Sequence, residues 1–124
     1  MMLRFLLPLA LCLLPLSANA ELRLLMFEQD GCYWCERWDA EVSAIYPKTQ
    51  EGRAAPLERV DIWEDFPKDV KLESRPAFTP TFVLVQDGVE IFRIPGYPGA
   101  DFFWSLLEQK MIALPEYKAA DLDS

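Results

Sequence analysis

An α/β domain built on a mixed four-stranded sheet flanked by helices is the fold the sequence predicts, and three observations predict it. Residues 22–27 are almost wholly apolar, the pattern of a strand buried on both faces. A helical stretch separates them from a second short strand at 57–63, so these two strands are expected to be parallel with a right-handed crossover. Two β-rich runs at 81–86 and 89–94 then flank Asp87-Gly88, a pair suited to a two-residue hairpin turn.

The elements follow in chain order. Residues 1–20 carry one charge, Arg4, and an apolar run from Phe5 to Leu16. Ser17-Ala18-Asn19-Ala20 ends the run with the small-x-small pattern of a signal-peptide cleavage site, which makes Glu21 the expected first residue of an exported, periplasmic domain. The run is shorter than the roughly 20 apolar residues of a membrane span, and an uncleaved anchor is the alternative. Lipid attachment at Cys12 is set aside, because Leu11 stands where a small side chain is needed.

After the first strand, Asp30-Gly31 breaks the pattern. A helix is expected over 32–46, where Cys35, Trp38, Val42 and Ile45 recur at three- and four-residue spacing. Pro47 is expected to end it, and 47–56 to form a polar loop. Residues 64–79 read as loop with one short helix near 69–73. Gly96 and Gly99 bracket a turn, and Phe103, Leu106, Leu107, Met111 and Leu114 share a helical face from Asp101 onward. Pro115 is expected to close that helix, so that 21–115 form one domain and 116–124 a disordered acidic tail.

Composition excludes several functions. The chain has 12 basic and 20 acidic residues; removal of residues 1–20 leaves 11 against 20, a net charge of −9. Such a surface disfavours nucleic acid and anionic membrane as partners, since both demand a basic patch. No histidine is present, and removal of the leader reduces three cysteines to the Cys32/Cys35 pair. Two thiols fall short of a zinc site of about four ligands, so no metal and no cofactor is expected. A closed structural disulfide is a competing reading in an oxidising compartment, although so short a loop constrains little chain entropy.

A strand ending before Gly31-Cys32-Tyr33-Trp34-Cys35 at a helix start, with Phe78-Thr79-Pro80-Thr81-Phe82 entering a later strand, resembles the thioredoxin superfamily. The resemblance implies thiol–disulfide exchange. Cys32 at a helix N-terminus has a lowered pKa and acts as nucleophile. Cys35, one turn deeper and more buried, resolves the mixed disulfide. Asp30 and Glu28 would oppose the thiolate, and Arg37 would favour it. Tyr33 and Trp34 tune the pair, with Trp34 expected to be exposed; most of the remaining aromatics in Trp38, Phe102, Phe103 and Trp104 are expected in the core. The resemblance further implies that Pro80 is cis and that Thr79 offers its backbone to a substrate strand. Tyr33, Trp34, Thr79 and Pro80 are thus the expected substrate contacts.

Residues 24–32, 78–84 and 96–104 look like the SoxS-type periplasmic thioredoxins of bacterial sulfur-oxidation clusters. That likeness implies a reductant for the sulfur carrier SoxYZ, itself supplied by a membrane thiol transporter. The chain departs from cytoplasmic thioredoxins in three ways. Gly31 replaces the usual tryptophan, Met26 replaces the usual buried acid, and the first strand and helix of the longer fold are missing. Loss of the acid favours a dedicated client over general reduction. A disulfide oxidase or isomerase is the alternative within the enzyme class, and a non-catalytic binding module the alternative outside it. No residues remain for a dimerisation domain, so a monomer is expected. The direction of electron flow turns on potentials where about 30 mV is worth only ~1.4 kcal/mol, and stays open.

Overall fold

A computed structural model describes residues 21–121; the expected leader and residues 122–124 lie outside the described residues. β1 (Leu22–Glu28) is the centre of the design. It pairs in parallel with β2 (Leu57–Asp61) on one side and antiparallel with β3 (Thr81–Gln86) on the other. β3 pairs antiparallel with β4 (Val89–Pro95), giving the order β2-β1-β3-β4. The mixed four-stranded sheet and the parallel first crossover are as expected. Asp87 and Gly88 both have positive φ, 50° and 80°, which is the hairpin turn their residue types favour. Gly88 is required for a second reason: a Cβ there would lie 2.6 Å from the carbonyl oxygen of Asp69.

The side-chain alternation of the strands divides the core in two. Leu22, Leu24, Met26, Phe82, Leu84 and Ile94 face the helices and join Trp38, Val42, Tyr46, Phe103, Leu107 and Met111. Leu25, Phe27, Val60, Val83 and Val85 face the other way, under Phe66, Val70 and Leu72. That second face is covered by the irregular segment 62–80 rather than by a helix.

The expected helix over 32–46 is three pieces. α1 (Tyr33–Trp38) is α-helical, Asp39–Ser43 widens to a π-helical turn, and Tyr46–Lys48 tightens to a 3₁₀ turn. The widened turn places Asp39 and Ser43 on one guanidinium, that of Arg59, at 2.6 and 3.0 Å. Pro47 is the second residue of the 3₁₀ turn instead of stopping the chain, since an early helical position needs no N–H.

The expected 47–56 loop contains α2 (Gln50–Ala54), capped by the Thr49 hydroxyl, which accepts from Gly52 N at 3.0 Å. Gly52 is needed because a Cβ would overlap the Tyr46 carbonyl oxygen. The short helix expected near 69–73 is absent: Lys71 N donates to Gly88 O and Glu90 N donates to Lys71 O, so this backbone pairs with β4 instead. The buried Glu90 locks the arrangement, accepting from Glu73 N at 3.3 Å and from two nitrogens of Arg93.

α3 (Ala100–Met111) presents Phe103, Leu107 and Met111 to the core. Leu106 lies at the exposed margin of the expected face. Pro115 opens a further helix, α4 (Pro115–Asp121), where a disordered tail was expected. Ala120 is buried, and Gln50 Nε2 donates to Tyr117 O at 2.8 Å, so α4 docks beside α2. The sequence signal was misleading because α4 buries little apolar surface of its own.

Candidate functional site

Cys32 and Cys35 stand where β1 hands over to α1. Cys32 is the N-cap of α1, with extended backbone, and Cys35 lies one turn in, their Cα atoms 5.2 Å apart and their sulfurs joined in a disulfide. The backbone N–H of Cys35 donates to Cys32 Sγ at 3.1 Å. The same donor would stabilise a thiolate on Cys32 after reduction. Cys32 is 8% exposed and Cys35 4%, so the expected order of burial holds, but Cys32 is not open. Each sulfur screens the other once they are bonded.

The surroundings correct the electrostatic expectation. Arg37 is paired with Glu41 at 2.9 Å, one turn along the helix. Glu28 does not confront the thiols as a free charge, because Arg59 Nη1 donates to it at 2.6 Å while Nη2 donates to Asp39 at 2.6 Å. The hydrogen bond to Asp39, partly opposed by burial and reinforced by Glu28, pushes the Arg59 pKa up, so the guanidinium stays charged. Arg59 is the cross-strand partner of Met26. Together with Cys32, Cys35, Asp30 and Asp61 it lines a cleft of ≈ 240 Å³ below the disulfide. Sequence reasoning missed Arg59, because only strand register brings residue 59 beside the cysteine pair.

The remaining expected contacts are brought to the same end of the sheet. The Thr79–Pro80 peptide is cis, and Pro80 is buried at the start of β3. Gly96 N donates to Pro80 O at 2.8 Å, and Thr81 Oγ1 donates to Phe78 O at 2.7 Å, which fixes the segment from both sides. Tyr33 and Trp34 pack edge to face, ring centroids 4.9 Å apart, and both are exposed, Trp34 by 53%. Trp38 and Phe103 are core residues and Trp104 packs against them, whereas Phe102 is exposed. Trp63, exposed by 79%, and Gln29 were not foreseen; the Trp63 indole donates to Gln29 Oε1 at 2.8 Å.

A larger cavity of ≈ 490 Å³ lies away from the cysteines, lined by Leu22, Arg53, Pro56, Leu57, Pro115 and Ala119. The described residues contain no group of three or more His, Cys, Asp or Glu placed to hold a metal ion.

A cysteine pair at a helix start, backed by a cis-proline strand of a mixed sheet, agrees with the match of residues 16–110 to the thioredoxin-like domain family. The chain belongs to the thioredoxin-like family. A solved structure of the periplasmic thioredoxin SoxS from Paracoccus pantotrophus, in its reduced form, is 54% identical, with a TM-score of 0.70, over 72% of this chain and 94% of that one. A thioredoxin-fold protein from Helicobacter pylori is 22% identical, with a TM-score of 0.59, over 81% of this chain and 73% of its own, and it supports the fold alone. No curated protein matched the chain by sequence. As a SoxS-type thioredoxin-like protein with a Cys-x-x-Cys disulfide, the chain is a thiol–disulfide oxidoreductase.

Proposed function

We propose that this oxidoreductase is a periplasmic reductase, exported by cleavage after Ala20, that acts as a monomer on a dedicated protein partner. The observation that carries the reading is the 54% identity to a periplasmic thioredoxin SoxS over 94% of that chain. It makes the sulfur carrier SoxYZ the first partner to test.

In the working direction the pair is reduced. The Cys32 thiolate attacks a sulfur of the target disulfide; the target S–S bond breaks, one target sulfur leaves as thiolate and a mixed disulfide forms. Cys35 loses its proton to solvent and attacks Cys32 Sγ, which frees the second target sulfur. Two electrons have moved to the target, and the Cys32–Cys35 disulfide has formed. A membrane thiol transporter returns the pair to the dithiol by the reverse exchange. Tyr33 and Trp34 cover the target, and the Thr79 backbone pairs with its strand beside Pro80. A disulfide oxidase or isomerase is the second reading, favoured by a threonine before the proline as in some periplasmic isomerases.

The equilibrium reduction potential of residues 21–124 decides between them. A value around −270 mV supports a reductase, and one near −120 mV sinks it in favour of a disulfide donor. Cys35→Ser should trap a mixed disulfide with purified SoxYZ that dithiothreitol releases. A partner bound equally well by the Cys32→Ser/Cys35→Ser double variant would mean a non-catalytic binding module.

A further inference from the structure

Gln29 joins two residues that nothing in the sequence connects. Its amide nitrogen donates to Thr79 Oγ1 at 2.8 Å, and its amide oxygen accepts from Trp63 Nε1 at 2.8 Å. The direction of both bonds is fixed by chemistry. An indole N–H only donates, so Gln29 must present its oxygen to Trp63 and its NH₂ to Thr79. The Thr79 hydroxyl is thereby engaged as an acceptor, and its own proton remains to be given elsewhere.

Two further observations bear on this chain of bonds. Trp63 is 79% exposed, so burial of its ring does not explain its position; the Gln29 bond and the donation of Trp63 N to Asp61 Oδ1 at 2.8 Å hold it. Thr79 is half-buried and precedes the cis bond to Pro80, while the neighbouring Thr81 hydroxyl is spent on Phe78 O. Thr79 therefore carries the hydroxyl left free to donate at this edge.

We propose that Gln29 is a positioning residue, its amide oriented by Trp63, that turns the Thr79 hydroxyl into a hydrogen-bond donor for the backbone carbonyl of a bound target polypeptide. The inference rests on the reading above that a target strand lies along Thr79 and Pro80. It adds a selectivity: an extended polypeptide disulfide gains a bond that a small disulfide, with no backbone to offer, does not.

The test compares two disulfides with the reduced protein. One is a short peptide whose central cysteine carries thionitrobenzoate; the other is 5,5′-dithiobis(2-nitrobenzoate). Release of thionitrobenzoate is followed by absorbance, and thermal unfolding confirms that each variant is folded. Thr79→Val and Gln29→Met should each slow the peptide reaction about five-fold, the size of one neutral hydrogen bond, and Gln29→Met should leave the small-disulfide reaction unchanged. The double variant should be no slower than either single one, because both break the same chain. Peptide rates unchanged in Gln29→Met, equal slowing of both substrates by that variant, or multiplicative effects would each overturn the inference while leaving the reductase reading in place. Failure of the unsubstituted protein to react with the peptide would instead overturn the reading on which it rests.

Discussion

Tyr46 shows how much one buried polar atom can decide. Its ring stacks on Trp104 at 5.9 Å, and its hydroxyl donates to Ala55 O at 2.6 Å within a fully packed core. Tyr46→Phe strands that carbonyl, and a loss of about 1–2 kcal/mol in chemical unfolding is expected. Burial, aided by the Glu51 carboxylate, pushes the Tyr46 phenol far above its ordinary 10.0. The folded protein therefore holds this proton more tightly than the unfolded chain. The resulting stability is complete below pH ~10 and drains as pH rises above it, where the unfolded phenol ionises first. Thermal unfolding should accordingly fall off more steeply above pH 10 in the parent protein than in Tyr46→Phe. Equal slopes would mean that Tyr46 titrates normally. Tyr97 and Tyr117 are displaced upward as well, each mainly by burial. They set a shared alkaline background in both proteins.

At the scale of elements, α4 is the clearest case of structure borrowed from neighbours. Pro115–Asp121 is too short to be a stable helix alone. It forms because Ala120 is buried, Gln50 donates to the Tyr117 carbonyl, and Gln86 Nε2 donates to Glu116 Oε1 at 3.0 Å. Ending the chain after Leu114 should lower stability by about 2 kcal/mol, on the scale of one or two partly buried side chains. The rate of the small-disulfide reaction should not change, since α4 lies against α2 and not against the cysteines. An unchanged melting temperature would reduce α4 to decoration. α2 makes the complementary point: residues 47–56 read as loop, and neither the Thr49 cap nor the need for Gly52 follows from the sequence. Only the fold brings the Tyr46 carbonyl to that spot.

Across the whole molecule, the sheet separates two jobs. The helical face holds Cys32 and Cys35 in the larger cluster. The opposite face is sealed by Phe66, whose ring meets Phe27 edge to face at 5.0 Å and lies under the Arg75 guanidinium at 4.5 Å. Arg75 is tied down in turn by donating to Ile62 O at 2.9 Å. Phe66→Ala should therefore cost about 2 kcal/mol, less than a fully buried phenylalanine, because Phe66 is only half-buried. The reduction potential should stay within a few millivolts of the parent value. A shifted potential would show that the two faces are coupled through β1.

While the β1–β3 pairing came from the fold, the sequence by itself determined the strands, the parallel relation of the first two, the hairpin of the last two and the Cys-x-x-Cys pair. These are local matters: alternation or saturation of apolar residues, residue types that tolerate positive φ, and two thiols three positions apart. It also marked Thr79-Pro80 through a motif. Tertiary structure alone decided the rest. The π-helical turn brings Asp39 and Ser43 to Arg59 on β2, a meeting only the fold arranges, and the loss of the expected helix near 69–73 depends on β4 claiming Lys71. Helix 115–121 needs the core to cover it. The Trp63–Gln29–Thr79 chain spans residues 50 and 34 positions apart along the sequence. No periodicity or motif carries such a relation, because a hydrogen bond between distant residues exists only once the sheet has set their distance.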